Sequence, residues 1–116
     1  MTDPLHDLAQ QLQQFARDRE WEQFHAPKNL ACALSVEAAE LLEHFQWLTE
    51  QQSRELAAEQ RDAVALEMAD VLLYLVQLAS SLGIDLAAVA RRKIELNAQR
   101  YPVASARGSS RKHSPL

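Results

Sequence analysis

Two pairs of carboxylates, Glu37 with Glu40 and Glu67 with Asp70, each stand three residues apart inside otherwise apolar runs. A helix turns about 100° per residue, so partners at i and i+3 point the same way, and two such pairs can aim at one spot. On a helical wheel Glu37 falls within the stripe Leu30, Leu34, Leu41, Phe45 and Leu48, while Glu67 and Asp70 fall with Ala63, Tyr74 and Leu78, where the periodicity predicts core. Unpaired buried carboxylates are strongly disfavoured and take up protons unless positive charge offsets them. Too few Lys or Arg residues share these faces to do so, which leaves a bound cation. The donors are all oxygen, neither helix carries a Glu-x-x-His step and no Cys joins the set, so metals that prefer imidazole or thiolate are disfavoured. Mg²⁺ fits best, with Mn²⁺ as a substitute. Magnesium held by carboxylates normally leaves positions for water and substrate phosphates, so the expected ligand is a phosphate-bearing small molecule.

Helices must position these groups. Asp3-Pro4 reads as an N-cap followed by proline at the first helical position, and Leu5, Leu8, Leu12 and Phe15 carry a helix to about residue 20. Residues 21–29, containing Pro27, read as a turn. A second helix is expected over about 28–48, then a polar link over 49–53 that begins a short helix of its own. The third helix extends to about Leu82, broken near 57–60, with Gly83 at its left-handed C-terminal position. Asp85 caps a fourth, which ends near Arg100 before Pro102. With two glycines and four prolines in 116 residues, the expected fold is all-α: a four-helix bundle over 1–102, followed by a mobile basic tail over 103–116.

The third helix is apolar nearly all round, with Val64, Leu66, Met68, Val71, Leu72, Leu75, Val76 and Leu78, and such a helix must be buried all round. Three other helices in so short a chain cannot cover it, so a homo-oligomer, dimer or tetramer, is expected to complete the bundle. A formal charge of −4 gives no footprint for a nucleic acid polymer beyond the short basic stretch at Arg107–Lys112. Glu67 and Asp70 near the middle of the longest apolar segment make membrane insertion costly. A lone Cys32 and early acids at the N-terminus suggest a cytoplasmic protein.

The pattern Glu37-Ala-Ala-Glu40, an interval of residues 41–66, then Glu67-Met-Ala-Asp70 resembles that of the MazG-type, all-α nucleoside triphosphate pyrophosphohydrolases. Three further stretches narrow the resemblance to the dCTP pyrophosphatases of that superfamily: Trp21-Glu-Gln-Phe-His25-Ala-Pro27-Lys-Asn29-Leu, Glu43-His-Phe45-Gln46-Trp47, and Arg100-Tyr101-Pro102-Val103 with Arg107-Gly108-Ser109. The match runs over about residues 5–112. It implies hydrolysis of a deoxynucleoside triphosphate to monophosphate and pyrophosphate by water attacking the α-phosphorus. Glu37, Glu40, Glu67 and Asp70 would be the metal ligands, with Glu37 or Glu40 orienting the water or accepting its proton. It also places nucleotide contacts at Trp21, Trp47 and Tyr74. His25 and Asn29 are candidates for polar contacts, and Lys93 and Asn97, at i and i+4 on the fourth helix, for holding the triphosphate tail. The chain departs from the family on its first helix, where Leu12, between Gln11 and Gln13, stands where a histidine is common. That departure bears on the base more than on the reaction.

Other functions share the same residues. The catalysis could act on dUTP or a damaged triphosphate, since nothing in the carboxylate spacing separates these substrates. A non-enzymatic helical module with an acidic groove for a basic partner is the alternative from a different class. A strong rise in thermal stability with Mg²⁺ would separate enzyme from module, because only a preorganised site responds to the ion.

Overall fold

The computed structural model describes residues 3–110. Among them there is no strand, and the all-α expectation is met. Six α-helices form: α1 (Pro4–Asp18), α2 (Pro27–Glu43), α3 (Glu50–Arg54), α4 (Ala58–Ser81), α5 (Leu86–Arg100) and α6 (Val103–Ala106), with a single 3-10 turn at Glu22–Phe24 between α1 and α2. The chain divides into two compact units, Met1–Ile84 and Asp85–Leu116.

The helix ends follow local chemistry. The Asp3 carboxylate accepts from the Leu5 N–H at 3.0 Å, and Pro4 fills the first helical position, where its missing N–H costs nothing. Thr49 and Gln52 form a reciprocal capping box that starts α3. The break before α4 lies at 55–57, slightly ahead of the expected 57–60, and α4 begins where the Gln60 side chain reaches back to the Ala57 N–H. At the other end of α4 the Ile84 N–H bonds to the Ala79 carbonyl and the Gly83 N–H to the Ser80 carbonyl, with Gly83 at φ +67°. This is a Schellman motif, and glycine takes its left-handed position without a Cβ clash. The α1 end repeats the motif on a different residue. Trp21 N–H bonds to Ala16 O and Glu20 N–H to Arg17 O, with Glu20 at φ +56°.

Helix α2 stops at Glu43, short of the expected 48, and residues 44–47 continue as turns. In the first unit α4 packs against α2 and α1. Its buried residues are Ala16 on α1, Leu30 on α2, and Val64, Val76 and Ala79 on α4. So few buried residues make a thin core. The apolar surface of α4 is largely uncovered within this chain: Leu66 is 72% exposed, and Met68 and Leu72 are exposed beside it. By length and mean hydropathy α4 could cross a bilayer, yet Glu67 and Asp70 lie mid-way along it. In the second unit Asp85 caps α5 by accepting from the Ala88 N–H at 3.1 Å, and α6 lies within the segment expected as a tail. The end of that segment, residues 111–116, lies outside the described residues.

Candidate active site

Glu37 comes from the middle of α2, and Glu67 and Asp70 from the middle of α4. The register of these two packed helices brings one carboxylate oxygen from each residue to within 4.8 Å of the others. Glu37 and Glu67 are half-buried and Asp70 is exposed, so the cluster opens to solvent on one side. One oxygen of Glu37 and one of Glu67 are shielded from water with no hydrogen-bond partner. Shielded acceptors of this kind normally find a donor. Glu40, one turn further along α2, lies outside the three-residue cluster but interacts electrostatically with it.

The electrostatics follow from this crowding. The Glu37 carboxyl is raised above its ordinary value of 4.5, first by the facing Glu67 carboxyl, with which it could bond only if one of the two took up a proton, then by desolvation and the charges of Glu67 and Asp70. Its hydrogen bond with Glu40 works in the opposite direction. Glu40 is also raised, chiefly by its hydrogen bond with Glu37 and by repulsion from the Glu37 charge. An all-oxygen donor set that repels itself and carries unpartnered shielded oxygens suits a hard divalent cation. The residues present therefore fit Mg²⁺ or Mn²⁺.

A cavity of about 380 Å³ lies in the same unit, between α1, the 3-10 turn, the start of α2 and the end of α4. Its walls include Leu30 on α2 and Gln77 on α4. Leu30 stands seven residues before Glu37, and Gln77 seven residues after Asp70. Two turns of helix, about 11 Å, therefore separate cavity from cluster on both helices, which run antiparallel. Tyr74 lies between them on the Asp70–Gln77 stripe and is half-buried.

The MazG-like family model matches residues 32–116, a span that contains all four carboxylates. The chain belongs to the MazG-like family. It is 43% identical over 114 residues to dCTP pyrophosphatase 1 of Homo sapiens, covering 97% of this chain and 67% of the human protein. The bovine protein of the same name is 41% identical over an equal share of this chain and 68% of its own length. In structure, a pyrophosphatase from Archaeoglobus fulgidus superposes with a TM-score of 0.81 at 37% identity, covering 88% of this chain and 95% of the archaeal one. At the level of the MazG-like family, the expectation of a nucleoside triphosphate pyrophosphohydrolase is met.

The remaining expected site residues of this MazG-like chain are distributed as follows. His25 closes the 3-10 turn and lines the cavity. Trp21, 45% exposed, is fixed at the end of α1 by its backbone bond to Ala16 and by edge-on packing against Phe15 at 5.7 Å between ring centroids. The Phe15 ring in turn carries the Arg19 guanidinium, 3.5 Å from its centroid. Asn29 donates its side-chain amide to the Phe24 carbonyl at 3.1 Å, which ties the 3-10 turn to the first turn of α2. Trp47 lies in the turns after α2 and is 86% exposed. Lys93 and Asn97 stand on α5 in the second unit, both exposed. Sequence reasoning passed over the cavity residues Gln13, Gln77 and Ser80. For Gln77 the signal was present, since it continues the Asp70–Tyr74 stripe by one further turn.

Proposed function

We propose that this chain hydrolyses a pyrimidine deoxynucleoside triphosphate, dCTP or a 5-substituted dCTP, to monophosphate and pyrophosphate in the presence of Mg²⁺. The observation that carries the proposal is the convergence of Glu37, Glu67 and Asp70 within 4.8 Å, with shielded oxygens on Glu37 and Glu67 that have no protein donor. The choice of dCTP rests on the named relatives and on the cavity of about 380 Å³ two helical turns from the carboxylates, which is offered as the nucleoside site. A divalent cation held by Glu37, Glu67 and Asp70 would offset phosphate charge and make water more acidic.

The chain's own groups account for the rest. Glu40, one turn from Glu37 and outside the three-residue cluster, orients the attacking water and accepts its proton. Tyr74 and the cavity hold the nucleoside, His25 supplies a polar contact, and Trp21 and Trp47 offer ring faces to the base. The exposed apolar face of α4 is covered by further copies of the chain, a homo-oligomer detectable by sedimentation. An exposed free thiol at Cys32 suits a reducing, cytoplasmic setting.

The deciding experiment is product analysis by ion-exchange chromatography after incubation with each canonical and 5-substituted nucleoside triphosphate and Mg²⁺. Monophosphate and pyrophosphate from dCTP are expected. Orthophosphate as the first product would contradict the mechanism, and a strong preference for purines or dUTP would remove the dCTP assignment while leaving pyrophosphate release standing.

A further inference from the structure

The end of α1 carries a stack of three side chains. Phe15 and Trp21 meet edge-on, with 5.7 Å between ring centroids and 69° between planes. The Arg19 guanidinium lies 3.5 Å from the Phe15 centroid, and its Nη1 donates to the Phe15 carbonyl at 3.1 Å. A tethered cation therefore braces the Phe15 ring while that ring bears on Trp21. The Trp21 backbone is fixed as well, by the bond from its N–H to the Ala16 carbonyl at 2.9 Å after the left-handed Glu20. A contact between these two positions commonly closes such a motif, and any apolar pair serves it. Both rings here remain 45% exposed, so the pair buries little and leaves Trp21 surface open. The turn that carries Trp21 joins Arg17 to Glu22, and both of those residues line the cavity. Trp21 thus stands beside the cavity with its backbone and ring orientation both fixed.

We propose that Phe15 is a positioning residue for substrate binding: it holds the Trp21 ring in the orientation that stacks on the base, with Arg19 bracing Phe15. An indole on a surface turn otherwise samples several rotamers, and ordering it when substrate binds costs affinity. A ring already packed against it removes that cost before substrate arrives. Phe15 acts through Trp21 alone. The inference rests on the proposal that Trp21 meets the base, and it adds the reason why a half-exposed tryptophan on a turn is ordered in advance.

The test measures KM and kcat for dCTP with Mg²⁺ in the parent, Phe15→Leu, Phe15→Tyr, Trp21→Ala and the double variant Phe15→Leu with Trp21→Ala. Circular dichroism checks that each is folded, as the half-exposed position of Phe15 leads one to expect. Phe15→Leu should raise KM about three- to tenfold, the cost of ordering one side chain, with kcat within about twofold of the parent. Phe15→Tyr keeps the ring and should keep the parent KM. Trp21→Ala should raise KM about ten- to a hundredfold, and adding Phe15→Leu to it should change KM by less than about twofold, because nothing is left to position. A second readout follows Trp21 alone in a Trp47→Phe background, since the chain has two tryptophans. There Phe15→Leu should lower the fluorescence anisotropy and Phe15→Tyr should not. An unchanged KM or anisotropy in Phe15→Leu would overturn the inference. So would an equal rise in KM with and without Trp21, which marks Phe15 as merely structural. Trp21→Ala with the parent KM would remove Trp21 from the base and the inference with it. If the parent hydrolyses no triphosphate, the catalytic proposal fails separately, and dCMP binding read from Trp21 quenching decides the positioning role. Binding about three- to tenfold weaker in Phe15→Leu upholds it, and equal affinity or no binding overturns it.

Discussion

Replacing Glu37 with Gln keeps the side chain's shape and removes one negative charge from a cluster whose ligand oxygens lie within 4.8 Å of one another. Two opposite effects on stability follow, separated by metal. Without metal, the parent holds carboxylates that repel one another, as the raised Glu37 and Glu40 values record, so the variant should unfold at a higher temperature. With metal the order reverses. Mg²⁺ at a hundred times its dissociation constant stabilises the parent by about 2.7 kcal/mol, which for a chain of this size raises the unfolding temperature by roughly 10–14 °C. A ligand matters at least as much as the groups that orient one, so losing Glu37 should weaken the ion about a hundredfold or more. At the same Mg²⁺ concentration the variant then gains only about 0.4 kcal/mol, or roughly 2 °C. Thermal unfolding followed by circular dichroism, titrated with Mg²⁺ and Mn²⁺, measures both halves, and turnover should fall by orders of magnitude in parallel. Equal metal-induced shifts in parent and Glu37→Gln would refute the assignment, as would a parent that does not respond to either ion.

The same cluster makes the metal-free chain pH-sensitive. Carboxyls raised in the folded state contribute stability that is fully present below their ordinary value of 4.5 and lost as pH rises through the folded value, so the advantage of Glu37→Gln over the parent should widen as pH increases from 4.5 toward neutrality and vanish with saturating Mg²⁺. Glu20→Gly should stabilise the chain by about 0.5–1 kcal/mol, because relief of the left-handed penalty exceeds the entropy cost of glycine, and a fall in unfolding temperature would contradict this. Trp47→Ala removes a side chain that is 86% exposed, so thermal stability should not move while KM rises about ten- to a hundredfold by loss of base stacking; an unchanged KM would remove Trp47 from the site.

What the sequence made legible was whatever depends on one helix at a time. The two carboxylate pairs, Asp3 and Asp85 as N-caps and Gly83 after α4 all follow from local spacing, and the structure places each cap as expected. The same logic missed the end of α1. There the Schellman motif uses Glu20, which carries no glycine signal, and the contact that usually accompanies the motif is the Phe15–Trp21 ring pair, which reads in sequence as two unrelated aromatics. The early stop of α2 at Glu43 was invisible for a similar reason. No Gly or Pro marks residues 44–47, and the chain leaves the helix into turns that precede the Thr49 capping box. The cavity lay beyond reach because the end of α4 meets residues 9–30 only in the fold, and Gln13 and Ser80 acquire a relation only when α1 packs on α4.

The antiparallel register of α2 and α4 ties these features together. Counting seven residues back from Glu37 reaches Leu30, and counting seven on from Asp70 reaches Gln77, so one register serves both the carboxylate cluster and the cavity wall. A slip of one residue on either helix would turn its side chains by about 100° and move one site relative to the other. The buried residues Leu30, Val64, Val76 and Ala79 fix that register by packing, and they are apolar groups at which no chemistry happens. The distance between the cavity wall and the carboxylate cluster is therefore set by van der Waals contacts of the thin core. Damage to that core should consequently weaken substrate binding and lower turnover together.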